Sequence, residues 1–259
     1  NATAGETLLE VNGLSGTMFD DVSFALRQGE ILGFAGLVGA GRSELMQTIF
    51  GFRKASAGRV RVGGRDWRLG DTASSVAGGM LYLSEERKHH GIFPLLSLRD
   101  NIGVSVLSLT SGAAGIDFAK ERSLVRRVID DYGIRASGPG QRMSTLSGGN
   151  QQKAIIGRAM ATTPRILIFD EPTKGIDIRT KTEIYRIMKS LAEDGVGIIL
   201  ISSEMTELRR CASRIVTMHG GRITGDFDAA TTATETLVGA IFATGSDGAP
   251  PKPETAHVN

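Results

Sequence analysis

Short, uninterrupted apolar runs, set apart by polar and glycine-punctuated stretches, are the main pattern in this chain. Ile31-Leu32-Gly33-Phe34-Ala35, Met80-Leu81-Tyr82-Leu83, Ile166-Leu167-Ile168-Phe169 and Gly197-Ile198-Ile199-Leu200-Ile201 predict strands buried in the core. Glu44-Leu45-Met46-Gln47-Thr48-Ile49-Phe50 reads as a helix, and strand, helix and strand alternate over 165–217 as in a wound parallel sheet. Residues 8–27 alternate apolar and polar positions, with Gly13, Gly16 and Gly29 as punctuation, which predicts a short antiparallel sheet. Hairpins are expected over 59–68, around Gly63-Gly64, and at His219-Gly220-Gly221-Arg222, followed by a helix near 234–243. The stretch 97–161 is mostly helical in pattern, broken at Ser111-Gly112 and Gly138-Pro139-Gly140. It predicts a helical subdomain inserted into the sheet-forming chain. Residues 245–259, rich in Gly and Pro, read as a disordered tail.

Three segments carry chemistry. Gly36-Leu37-Val38-Gly39-Ala40-Gly41-Arg42-Ser43 has the spacing of a phosphate-binding loop between a predicted strand and a predicted helix, with Arg42 where that motif has lysine. Glycines let backbone amides curl around phosphate oxygens, and Ser43 offers a hydroxyl to magnesium. Arginine keeps the positive charge but replaces a compact ammonium by a planar fork. Thr145-Leu146-Ser147-Gly148-Gly149-Asn150-Gln151-Gln152-Lys153 is a Ser-Gly-Gly turn opening a polar helix, where free N–H groups and the positive helix end favour a phosphate oxygen. The run ending at Phe169 is capped by Asp170-Glu171-Pro172-Thr173. One carboxylate there can hold magnesium and the next can polarise an attacking water, so the pair suits nucleotide hydrolysis.

In this order and spacing the motifs resemble those of ATP-binding cassette (ABC) domains, over residues 8 to about 242. More narrowly, Gly29-Glu30-Ile31-Leu32-Gly33-Phe34-Ala35 with the loop through Leu45, Ser84-Glu85-Glu86-Arg87-Lys88 and Asn150-Gln151-Gln152-Lys153 are similar to the second cassette of the tandem ATPases that energise bacterial importers of ribose, galactose and xylose. The resemblance implies an α/β fold: a P-loop NTPase (RecA-like) core with an antiparallel β subdomain and an inserted α-helical subdomain, in one nucleotide-binding domain over 1–244. It implies ATP and Mg2+ as cofactors. Gly36, Leu37, Val38, Gly39, Ala40, Gly41, Arg42 and Ser43, with Ser147, Gly148, Gly149 and Asn150, would bind nucleotide. Ser43, Asp170 and Glu85 would hold the metal, and Glu171, Glu204 and Glu85 would be the catalytic set. Such cassettes close head to tail, so the Ser147 turn would serve a partner's nucleotide. The implied partners are another cassette, as the N-terminal half of the same polypeptide, membrane permease subunits and, through them, a periplasmic or extracellular sugar-binding protein. The implied location is the cytoplasmic face of a bacterial membrane, and Asn1-Ala2 would be an expression scar.

Departures from the family pattern sharpen the expectation. Glu204 stands where the resemblance places a histidine, Glu85 where it places a glutamine, and Phe19 is the one aromatic residue in 14–20 to stack on adenine. Arg42, Glu85 and Glu204 together predict an asymmetric pair, in which this half completes a competent site while its own site hydrolyses slowly or not at all. A regulatory module without turnover and a soluble ATPase acting on DNA or ribosomes are the alternatives.

Composition narrows these. Thirty basic against twenty-eight acidic residues leave a net charge of +2, which counts against nucleic acid as the main partner. The single cysteine, Cys211, excludes an intrachain disulfide and reads as a packed helix residue. No apolar run approaches bilayer length, so a role in transport requires docking onto a separate membrane subunit. The four histidines, His89, His90, His219 and His257, lack metal-ligand spacing and read as solvated.

Overall fold

The computed structural model describes residues 5–112 and 115–243; the expected tail at 245–259 and Asn1-Ala2 lie outside the described residues. In chain order the first elements are β1 (Thr7–Gly16), β2 (Phe19–Arg27), β3 (Ile31–Gly36), α1 (Arg42–Phe50), β4 (Ala55–Val62), β5 (Arg65–Asp66), α2 (Thr72–Ala77) and β6 (Met80–Leu83). Then follow α3 (Leu98–Gly103), α4 (Leu107–Thr110), β7 (Ser111–Gly112), β8 (Gly115–Ile116), α5 (Phe118–Asp131) and α6 (Gly148–Met160). The last are β9 (Ile166–Asp170), α7 (Ile178–Glu193), β10 (Gly197–Ile201), α8 (Met205–Cys211), β11 (Arg214–His219), β12 (Arg222–Asp228) and α9 (Thr234–Phe242).

The apolar runs assemble the central sheet, ordered β12-β11-β3-β10-β9-β6 and parallel except for the β11–β12 hairpin. Because side chains alternate across a strand, each run feeds two cores. Leu167, Phe169, Ile198, Leu200 and Ile215 face the layer made by α3 and α5 through α9. Ile166, Ile168, Ile199, Ile201, Leu32, Phe34, Val216 and Met218 face α1 and the antiparallel sheet β2-β1-β4-β5. No residue of β9 or β10 is left exposed, which is why these strands show no polar alternation.

The turn at Gly63-Gly64, with φ of 55° and 74°, joins β4 to β5, as the hairpin pattern requires. Between β6 and β9 the long helices each start on a side-chain cap: a capping box of Ser97 and Asp100 for α3, Asp117 for α5 and Ser147 for α6. The break at Ser111-Gly112 is a small hairpin, β7 against β8, which two-residue strands could not announce through periodicity. The 138–142 stretch folds back on α3, with the amides of Leu98 and Arg99 donating to the carbonyls of Gln141 and Pro139.

The strand order decides where the site sits. β3, β10 and β9 are adjacent and parallel, so the loops after Gly36, Ile201 and Asp170 emerge side by side at their carboxyl ends. That edge of a wound sheet is where ligands are usually bound.

Candidate functional site

The turn from β3 into α1 depends on glycine. Gly39 and Gly41 have φ of 81° and 87°, and a Cβ on Gly41 would lie 2.2 Å from the carbonyl oxygen of Met18. Ala40 donates its amide to the Leu37 carbonyl at 3.0 Å, while Leu37 and Val38 project outward at the tip. Gly41 offers no side chain to cap α1, so first-turn N–H groups face the loop.

Under this loop lies Asp170, only 3% exposed. Ser43 Oγ donates to its Oδ1 at 3.0 Å and Tyr82 Oη donates to its Oδ2. Burial pushes the Asp170 carboxyl above its ordinary range, and the two hydroxyls partly offset that by stabilising the anion. The adjoining hydroxyl and carboxylate oxygens are hard donors that fit magnesium shared with phosphate oxygens. Glu171 adopts a left-handed conformation, φ 47°, uncommon for a residue with a Cβ. Its amide donates to the Ile201 carbonyl at 3.0 Å and its Oε2 accepts from Ser203 Oγ at 3.2 Å. Burial raises this carboxyl too, against the charge of Arg42.

Arg42 is 7% exposed and its Nη1 donates to the Ser202 carbonyl at 2.8 Å, at the end of the neighbouring strand. Burial lowers the proton affinity of its guanidinium, opposed by the charges of Glu171, Asp170, Glu44 and Glu85. The side chain expected to reach phosphate thus makes its shortest hydrogen bond inside the protein.

The other two acids of the expected catalytic set are held by lysines. Lys174 Nζ donates to Glu85 Oε1 at 2.5 Å, and Lys181 Nζ, from α7, to Glu204 Oε1 at 2.5 Å. From the loop after β10 it is Ser203 that reaches Glu171, while Glu204 turns to Lys181. Beneath this loop Glu207 of α8, 2% exposed, accepts from Ser202 Oγ at 2.5 Å and Thr173 Oγ1 at 3.0 Å. Tyr82, Lys174, Lys181, Ser203 and Glu207 are the contributors that sequence reasoning missed. Tyr82, with a hydroxyl inside the apolar run Met80-Leu81-Tyr82-Leu83, is the one the sequence signalled; Glu207 lies in a polar stretch that gave no sign of its burial.

Two expectations are corrected. Phe19 is 3% exposed in the core between the sheets, its ring lying over Gly16, so it cannot stack on a base from this position. Asp21, with φ of 51°, breaks the alternation at the start of β2, so Phe19 and Val22, three positions apart, both turn inward. His219 is half-buried and its Nδ1 meets the Ile241 carbonyl at 2.8 Å, because α9 packs back on β11. Cys211 is buried in α8, as expected, and burial pushes its thiol up to about 12.

Ser147 caps α6, its Oγ accepting from Asn150 Nδ2 at 2.9 Å and from the Asn150 amide at 3.4 Å. Asn150 Oδ1 accepts from the Arg135 amide at 2.9 Å. Gly149 is required by packing, since a Cβ there would lie 2.2 Å from Thr180 Cγ2 on α7. None of the hydrogen bonds made by 147–150 leads to 36–43 among the described residues.

The chain is similar to known proteins. The chain is 43% identical over 227 residues to the ribose import ATP-binding protein RbsA of Caldanaerobacter subterraneus subsp. tengcongensis, covering 87% of this chain and 46% of that protein. It is 45% identical over 209 residues to the xylose import ATP-binding protein XylG of Burkholderia ambifaria, covering 80% of this chain and 40% of that one. The chain therefore spans about half the length of the curated relatives it matches. Among solved structures, a dimeric ATP-binding cassette bound to ADP and Pi superposes with a TM-score of 0.75 at 20% identity, over 86% of this chain and 99% of that one. The ATP-binding subunit of an ABC transporter superposes at 0.74 and 23% identity, over 90% and 99%. The fold is that of these cassettes. The model of the ABC transporter family matches residues 19–174, from the start of β2 through the glycine loop and α6 to just beyond Asp170 and Glu171, and on that match the chain belongs to the ABC transporter family.

Proposed function

We propose that this chain is an ATP-binding cassette of a bacterial importer of ribose- or xylose-class monosaccharides, binding Mg-ATP and forming half of a head-to-tail ATPase pair. The observation that carries the reading is the convergence of Ser43, Asp170, Glu171 and Arg42 under a glycine loop, in the order the family requires. Loop amides and the α1 N-terminus take the phosphates, Ser43 and Asp170 hold Mg2+, and Glu171 orients the attacking water. Bound Mg2+ would neutralise charge on the phosphate oxygens. Ser147, Gly148, Gly149 and Asn150, which make no hydrogen bond to this loop among the described residues, serve the nucleotide of the partner cassette.

Membrane permease subunits are the proposed partners, and through them a periplasmic or extracellular sugar-binding protein, which places the chain at the cytoplasmic face of the membrane. Exposed Phe93, Leu95 and Leu96, in the loop that leads from the Glu85 segment into α3, support a contact with an apolar partner. Among the described residues no helix is long and apolar enough to cross a membrane.

A binding module with little turnover is the second reading. It is favoured by the engagement of Arg42 with Ser202 and of Glu85 with Lys174. Titration with a fluorescent ATP analogue and Mg2+ tests the binding step shared by both: saturable binding, weakened at least ten-fold by Ser43→Ala, is expected. No saturable binding up to millimolar nucleotide, by folded protein, refutes it. Hydrolysis by the cassette pair with and without Glu171→Gln then separates turnover from binding, and sugar uptake by cells carrying Glu171→Gln tests the transport role.

A further inference from the structure

Asp170 holds its two carboxylate oxygens in different ways. Oδ1 accepts from Ser43 on the loop side and Oδ2 accepts from Tyr82 on β6, the adjacent strand. The Tyr82 ring is fixed by Phe50 and Phe52, with centroids 5.8 Å and 5.7 Å away, the latter edge-on at 89°. Its hydroxyl is approached by Gln47 Nε2 at 3.5 Å, and Gln47 Oε1 in turn accepts from Arg53 Nε at 2.7 Å. The phenol therefore has a defined place and direction, and nothing in the nucleotide reading uses it.

We propose that Tyr82 is a positioning residue for the metal carboxylate, holding Oδ2 of Asp170 so that Oδ1 is presented to the cation that Ser43 shares. The proposal rests on the reading of Ser43 and Asp170 as the metal pair. When Oδ1 is given over to a cation, the Ser43 bond is replaced, and the Tyr82 bond is the one that keeps the carboxylate from rotating. A buried carboxylate oxygen left without a donor is unfavourable, and partners that orient a ligating carboxylate typically account for roughly ten- to hundred-fold in metal affinity.

The same residue gives the metal site a link to the surface. Tyr82, Gln47, Phe52 and Arg53 line one wall of a cleft of about 910 Å³ whose other wall includes Ile155 and Arg158 of α6. Arg53, Gln47, Tyr82 and Asp170 thus form a hydrogen-bonded line from that cleft to the carboxylate.

Tyr82→Phe removes one oxygen and keeps the aromatic cluster; Tyr82→Leu is a second variant without the donor. Mn2+ binding in the presence of ADP is followed by electron paramagnetic resonance, and ADP binding in EDTA by calorimetry, with folding checked by thermal melting. Both variants should bind Mn2+ at least ten-fold more weakly while metal-free ADP affinity stays within two-fold. Unchanged Mn2+ affinity in the folded Phe variant overturns the proposal, as does an equal loss of metal-free ADP binding, which would mark a general packing role. Failure of the native chain to bind Mn2+ with ADP removes the metal-pair reading itself, and the proposal with it. Native binding abolished by Asp170→Ala but untouched by Tyr82→Phe removes the Tyr82 role alone.

Discussion

Replacing Glu207 tests the buried bridge beneath the loop that holds Arg42 and Glu171. Glu207 is 2% exposed and accepts hydrogen bonds from Ser202 Oγ at 2.5 Å and Thr173 Oγ1 at 3.0 Å. Ser202 also gives its carbonyl to Arg42, and the next residue, Ser203, donates to Glu171. Hydrogen bonds to a charged group contribute about 1.5–3 kcal/mol each, set against the burial that lifts the Glu207 carboxyl above its ordinary range. The net loss expected for Glu207→Ala is about 2–4 kcal/mol, including the space left behind. For a chain of this size that lowers Tm by about 4–16 °C. Glu207→Gln keeps an acceptor, and its amide can donate to a hydroxyl that turns round, so its loss stays within about 1 kcal/mol. The direction of the Glu207 shift fixes a pH trend. A raised folded-state value favours the protonated acid, so its contribution is full below the unfolded value of about 4.3 and is lost as pH rises through the folded one. The amide cannot ionise, and the stability of Glu207→Gln relative to the native chain should climb from pH 4 to 7. Thermal and urea unfolding of nucleotide-free protein measure both effects. An Ala variant within about 0.5 kcal/mol of native, a Gln variant as unstable as Ala, or the opposite pH trend would refute the reasoning.

Asp170→Asn removes a buried charge and should raise the Tm of nucleotide-free protein by about 1–4 °C, an effect of about 0.5–1 kcal/mol. The same variant should lose all metal-dependent stabilisation by ADP, and calorimetric scans with and without Mg2+ read the two together. Arg42→Lys gives up the guanidinium bond to the Ser202 carbonyl, with a loss of about 1 kcal/mol in urea unfolding, and frees a flexible point charge for phosphate. Mg-ATP affinity should therefore rise, and an unchanged affinity would show that Arg42 does not limit binding. Ser147→Arg should leave nucleotide affinity of this chain within two-fold while hydrolysis by the cassette pair falls at least ten-fold. Loss of binding in the folded single chain would contradict the assignment of that turn to the partner's nucleotide.

Much of the site was legible because it is local. The apolar runs define buried strands within four or five residues, and glycine at 39 and 41 is demanded by backbone conformations set within the turn itself. Asp170 ends, and Glu171 follows, a strand with no exposed residue, so their place at its carboxyl end needed no knowledge of neighbours. What the sequence withheld is partnership at long range. Ser43 meets Asp170 across 127 positions, Arg42 meets the Ser202 carbonyl across 160, and Lys174 meets Glu85 across 89. Those meetings follow from the strand order β3-β10-β9-β6, which periodicity does not encode. Phe19 reads as the one aromatic residue available to a base in 14–20, yet the irregularity at Asp21 and the pairing of β2 with β1 turn it into the core. Tyr82 reads as one more apolar strand residue until β6 is laid beside β9, and only then does its hydroxyl meet a carboxylate. Backbone conformation is decided by neighbours in sequence, whereas the ionic and hydrogen-bonding partners of a buried side chain are decided by which strands lie side by side.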